Sequence, residues 1–292
     1  MRGIYYVPSA MPYPLIELGG SGALVLLLPA NGFPPETYLP ALEPLLARHR
    51  IVSLPPRAMW DDAGPAPPAP GSWLALADDL LEGMRRHALA TALVIGHSFG
   101  AVSGLLAAVR EPARFSGLAL LDPTIFPPSL MAEFAEQRKR GEAGARPLVQ
   151  GALTRRERFG SEAEAFAYWR GRRLFADWSD DAVRRYTRAM LRPAPEGGLT
   201  LSWRRDWEAH YYESVYTESW EALGQLDPAL PLLAVRGETS DTFLPEAAAL
   251  LQARVPSAVQ RTIPGRGHLF PQSAPAETGG ILSQWLGLQD SP

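Results

Sequence analysis

The string Gly96-His97-Ser98-Phe99-Gly100 constrains this chain more tightly than any other stretch. It directly follows the apolar run Ala92-Leu93-Val94-Ile95 and leads into a small-residue, helix-forming stretch, 101–109. The pattern is strand, sharp turn, helix, with a serine at the apex. A turn this tight forces the serine backbone into strain. Only residues without bulk fit two positions to either side, where Gly96 and Gly100 stand. The effect is to lift a hydroxyl above a sheet edge with the next residue's N–H beside it. A serine hydroxyl alone is a poor nucleophile, so the pattern calls for a base and for a group to orient that base.

Candidates for both follow downstream. An apolar run from Pro231 to Val235 ends in Arg236-Gly237-Glu238-Thr239-Ser240-Asp241, a glycine turn carrying acids. The stretch 258–263 reads as another strand and runs into Pro264-Gly265-Arg266-Gly267-His268. Serine, acid and histidine thus occur in that order, each just past a strand. In this the sequence resembles the α/β-hydrolase superfamily, over nearly the whole chain apart from a middle segment. The resemblance implies an α/β fold: a mostly parallel central sheet flanked by helices, with an inserted helical cap. It implies Ser98 as nucleophile and His268 as base. Asp241 is the expected acid, with Glu238 in the same turn and Asp122 at the end of an earlier strand as open alternatives. The run Leu24 to Leu28 is followed by Pro29-Ala30-Asn31-Gly32-Phe33-Pro34. Many members read His-Gly-x-Pro here, and the N–H of x is half of the oxyanion hole. Matched by position, Phe33 supplies that N–H and Phe99 the other. Asn31 stands where the family usually has histidine.

Composition narrows the classes. The net charge of −3 argues against a nucleic-acid partner, because phosphate binding needs a concentrated basic face. The chain has no cysteine, which removes disulfides, thiolate nucleophiles and cysteine-ligated metals. No histidine pair has metal-ligand spacing and no glycine-rich phosphate loop occurs, so neither metal nor cofactor is expected. The most apolar run, 23–28, is far shorter than the roughly 20 residues of a membrane span. With no signal-peptide pattern either, a cytoplasmic protein without membrane contact is expected. Oligomeric state is left open.

Strands are expected at 3–7, 15–18, 24–28, 50–54 and 118–121, alternating with helices at 38–48 and 72–87, as in a parallel sheet wrapped by helices. Pro44 should kink the first of these helices. The domain reading is a core of 1–122 and 228–292, with 123–227 as the cap. That middle segment is helical in propensity and holds Trp169, Trp178, Trp203, Trp207, Tyr211, Tyr212, Tyr216 and Trp220. Most of these aromatics belong to the cap's own packing. A few are candidates for an apolar pocket: Trp203, Trp207 and Tyr211, joined by His210 and by Asn31 of the upstream loop.

The resulting expectation is a serine carboxylesterase acting on a small, largely apolar ester through an acyl-enzyme. Two alternatives stand beside it. One is a C–C bond hydrolase or lyase of the menaquinone-biosynthesis type, with Arg170, Arg172 and Arg173 holding a carboxylated substrate. The other is a ligand-binding α/β-hydrolase without turnover.

Overall fold

The computed structural model describes residues 13–68 and 72–287. The expected strand at 3–7 lies outside the described residues. The main sheet has seven strands: β1 (Ile16–Gly19), β2 (Ala23–Leu28), β3 (His49–Ser53), β4 (Ala92–His97), β5 (Phe115–Leu121), β9 (Leu232–Gly237) and β10 (Val259–Ile263), in the spatial order β1-β3-β2-β4-β5-β9-β10. Only β1 runs antiparallel, against β3; the other pairings are parallel. Central strands covered on both faces must be apolar throughout. Accordingly β4 is buried along its whole length, and so are all but one of the seven residues of β5.

The order of strands positions the site. In a parallel sheet, all connections after the strands' C-terminal ends meet along one edge. The loops after β2, β4, β5, β9 and β10 therefore lie side by side there.

Helix expectations hold with one refinement. The 38–48 segment is three short pieces, Pro35–Tyr38, Leu39–Leu42 and Glu43–Leu45, each with a proline in its first turn. Proline is tolerated there because the N–H it lacks would have no helical partner. The 72–87 helix runs over Leu74–Arg86. Its Asp79 is buried and receives two 2.7 Å hydrogen bonds from Arg57.

Between β5 and β9 the chain leaves the main sheet. It forms helices Pro128–Lys139, Pro147–Thr154, Glu162–Arg170, Asp180–Met190, Arg205–Glu213 and Ser219–Gly224. The sequence reading expected helices here. A small antiparallel sheet accompanies them, built from β6 (Arg158–Phe159), β7 (Leu191–Pro193) and β8 (Leu199–Leu201) in the order β6-β8-β7. Most buried apolar side chains of this segment join those of the main sheet in one continuous cluster, from Ile16 through Trp203 to Leu282, while Val149, Ala152 and Ala209 form a small cluster of their own. Among the described residues, no helix is long and apolar enough to cross a membrane.

Candidate active site

Ser98 occupies the bend between β4 and the helix Phe99–Arg110, with φ 58° and ψ −123°. The flanking glycines are required by close backbone approach. A Cβ on Gly96 would lie 2.5 Å from the Ala101 Cα, and one on Gly100 would lie 2.4 Å from the Leu28 carbonyl oxygen. The helix start is thereby pressed against the end of β2. The strain at Ser98 is of the order of 1–3 kcal/mol and persists because the packed neighbours leave no alternative.

The serine hydroxyl points at His268, which follows β10. Ser98 Oγ lies 3.0 Å from His268 Nε2. On the far side of the ring, His268 Nδ1 lies 2.7 Å from Asp122 Oδ2. An ionised carboxylate only accepts, so Nδ1–H donates to Asp122 and Nε2 is left to accept the Ser98 proton.

The acid beside His268 is therefore Asp122, and Asp241 is not there. Asp241 is exposed, and its carboxylate receives only a long 3.4 Å contact from the Thr242 hydroxyl. Glu238 is turned to the Gly265 N–H at 2.7 Å. β5 sits directly between β4 and β9, so Asp122 at its end lies beside both the strand that carries Ser98 and the turn after β9. The β9 turn contributes donors in place of an acid. Gly237 N–H donates to Asp122 Oδ1 at 2.9 Å, and the Ser240 hydroxyl makes a short hydrogen bond to Oδ2. Asp122 is fully buried, and three donors compensate for the lost water. Its φ of 41° marks a second strained residue in the same cluster.

His97 is buried behind the relay. Tyr38 OH accepts the Ala30 N–H at 2.8 Å and donates its own proton to His97 Nδ1 at 2.7 Å, because the ring's one proton is needed on Nε2. His97 Nε2–H then donates to the His268 carbonyl at 2.9 Å. Burial, with the neighbouring His268 ring as the lesser cause, pushes the His97 pKa well down. A neutral ring with one donor and one acceptor fits that requirement. His97 thus ties the loop after β2 to the loop after β10.

The loop after β2 differs from expectation at one atom. The Phe33 N–H donates to the Ala30 carbonyl at 3.1 Å and closes a turn within the loop. Phe99 is the first residue of its helix, where N–H groups have no partner within the helix. The two phenylalanine rings are embedded in aromatic walls. Phe33 meets Trp178 and Tyr186, and Phe99 meets Trp73 and Tyr211.

The other candidates serve the seam between the β5–β9 segment and the main sheet. Asn31 Nδ2 donates to the Glu208 carbonyl at 2.9 Å. Trp207 Nε1 donates to the Gly64 carbonyl at 2.9 Å, and Trp203 is fully buried. His210 is buried between Trp207 and Tyr211, and burial pushes its pKa down. Glu208 is buried 2.8 Å from Arg155. Burial pushes the Glu208 carboxyl up, and Arg155 pulls it partly back. Tyr186 OH donates to the Gly32 carbonyl at 3.3 Å, adding a further tie to the loop after β2.

Sequence reasoning missed Thr124, whose Oγ1 lies 3.1 Å from Ser98 Oγ, and Ser240. Both stand one or two residues from candidate acids, which is the signal that could have drawn attention to them. Among the described residues, no three His, Asp or Glu side chains are grouped so as to hold a metal ion.

Three comparisons bear on this arrangement. A comparison with curated proteins gives no match. Solved structures of similar shape include E-2-(acetamidomethylene)succinate hydrolase, with a TM-score of 0.76 and 20% identity over 94% of this chain and 95% of that one. An esterase from M. tuberculosis superposes with a TM-score of 0.73 and 20% identity, over 98% of this chain and 92% of its own. The N-formylmaleamic acid deformylase of Pseudomonas putida S16 gives 0.66 and 20%, over 97% and 100%. At such identities the likeness is one of fold. The family model described as the alpha/beta hydrolase family matches residues 25–279, from β2 through the His268 loop and beyond. With that span, the elbow and the parallel sheet taken together, the chain belongs to the alpha/beta hydrolase family.

Proposed function

We propose that the protein is a serine hydrolase, a carboxylesterase that cleaves a small, largely apolar ester through an acyl-enzyme, with 123–227 as its cap. The observation that carries this reading is the unbroken path Ser98 Oγ, His268 Nε2, His268 Nδ1, Asp122 Oδ2, at 3.0 and 2.7 Å. Ser98 Oγ attacks the ester carbonyl while His268 takes its proton. Asp122 holds the ring in the productive tautomer and stabilises the imidazolium. The tetrahedral oxyanion forms beside the Phe99 N–H. Being charged, it is a stronger acceptor than a neutral carbonyl and draws the Phe33 N–H from Ala30. His268 returns the proton to the departing alcohol, and water then releases the acid by the reverse sequence.

Aromatic walls at both Phe33 and Phe99 favour an apolar substrate. Of the three cap arginines considered for a carboxylated substrate, Arg173 is exposed and the other two are otherwise engaged. Arg170 donates to the Phe175 and Ala176 carbonyls, and Arg172 lies over the Tyr168 ring. The buried Arg155 is neutralised by Glu208. An uncharged ester is therefore preferred to a carboxylated C–C substrate. The esterase from M. tuberculosis among the structural neighbours is consistent with this choice.

The test is a fluorophosphonate probe together with a chain-length series of p-nitrophenyl esters. Wild-type protein should be labelled once and should hydrolyse the shorter esters, and Ser98→Ala should do neither. Equal labelling of Ser98→Ala would remove the proposal.

A further inference from the structure

We propose that Thr124 is a catalytic residue, one that holds the Ser98 hydroxyl for attack and then holds the hydrolytic water during deacylation. The proposal rests on the reading of Ser98 as nucleophile.

Thr124 lies two residues past Asp122, in the connection that leaves β5. Its side chain is buried, with Oγ1 3.1 Å from Ser98 Oγ. Its backbone is fixed against the same residue, because Thr124 N–H donates to the Ser98 carbonyl at 3.3 Å. The neighbouring Ile125 is fully buried, and its N–H closes a tight turn on Pro123 at 2.7 Å. The threonine hydroxyl is thus held on a rigid support beside the reacting oxygen.

Proton bookkeeping sets its role in the free enzyme. His268 Nδ1–H is given to Asp122, so Nε2 accepts the single proton of Ser98. The hydrogen bond between the two hydroxyls must then use the Thr124 proton. Thr124 donates to Ser98 Oγ and holds the serine in the rotamer that faces the imidazole.

Strand order sets its role afterwards. The loop after β2 flanks β4 on one side, and β5 flanks it on the other. The oxyanion is received on the β2 side, so Thr124 stands on the opposite side, with His268. Once Ser98 Oγ is an ester oxygen it is a weak acceptor, and Thr124 is released from it. A water beside His268 then donates one proton to Nε2 and the other to Thr124 Oγ1. This leaves a lone pair directed at the acyl carbon. The water oxygen bonds to that carbon as Nε2 takes the first proton. The carbon–Oγ bond breaks, its electron pair stays on Ser98 Oγ, and the imidazolium returns the proton there. The products are the free acid and the original serine.

Thr124→Val removes the hydroxyl with little change of shape, Thr124→Ser keeps it, and Thr124→Ala guards against a packing fault in the valine variant. Each is mixed rapidly with p-nitrophenyl acetate, and the burst and steady phases of p-nitrophenolate release are measured. Intact mass reports the acetyl-enzyme. In Thr124→Val and Thr124→Ala, deacylation should slow by roughly tenfold or more, and by a larger factor than acylation. Acetyl-enzyme should accumulate to near one equivalent, and Thr124→Ser should stay within about threefold of wild type. Wild-type deacylation in the valine and alanine variants would overturn the proposal. So would an equal loss in both steps that serine does not rescue. Acetylation or turnover by Ser98→Ala, or none by the wild type, would instead sink the underlying reading of the nucleophile.

Discussion

Asp122 and Asp241 differ in a way that single substitutions can separate. Asp122 is fully buried and takes hydrogen bonds from His268, Gly237 and Ser240, whereas Asp241 is exposed. Asp122→Asn should lower kcat by about 10⁴, because an amide at this position favours the wrong imidazole tautomer. Asp241→Asn should leave kcat within about twofold, in line with most exposed substitutions. Steady-state rates on one short ester decide between them, and the reverse ranking would restore the β9 turn as the acid's home. Local sequence could not make this distinction. Glu238 and Asp241 fill the turn after β9, and Asp122-Pro123 looks like an ordinary strand ending. Which carboxylate faces the histidine depends on how the turns after β5, β9 and β10 pack on one another, and that is a long-range property. Ser98 was legible because Gly96 and Gly100 stand to either side of it, and His268 because Gly265 and Gly267 precede it just past a strand.

At the scale of elements, the contact between β2 and the helix Phe99–Arg110 leaves no room for a side chain. A Cβ at Gly100 would meet the Leu28 and Pro29 carbonyl oxygens at 2.4 and 2.6 Å, and backbone cannot swing aside as a side chain does. Gly100→Ala should therefore cost about 2–3 kcal/mol of stability, read as a lower midpoint in urea with an unchanged slope. A midpoint equal to wild type would show that the helix can move off β2. The central parallel strands β2, β4 and β5 were readable for the opposite reason: they are mostly apolar and bounded by turns. By contrast β6, β7 and β8 hold two or three residues each. Strands that short carry no alternation, so the small antiparallel sheet left no trace in the sequence pattern.

For the molecule as a whole, two buried histidines set how stability responds to acid. Burial depresses the pKa of His97 strongly and that of His210 as well. The unfolded chain titrates near the ordinary value of about 6.5 and so binds protons before the native state does. Their contribution is complete above that pH and is lost as pH falls below it. Urea midpoints should fall between pH 7.5 and pH 5, and less steeply in His97→Gln, which can still donate and accept. An identical pH slope in that variant would exclude His97 as a source. The overall architecture was legible because alternating apolar runs and helices permit few alternatives to a parallel sheet. The shared interior of the insertion and the main sheet was not, since tryptophans and tyrosines look the same in sequence whether they face one another or a substrate.

Asp241 offers a practical opening. Its carboxylate is exposed while its neighbour Ser240 grips the buried acid, and the chain contains no cysteine. Asp241→Cys would carry the protein's only thiol, one residue from the hydroxyl that holds Asp122 and outside the proton path. A fluorophore attached there would report on the reaction in real time without taking part in it.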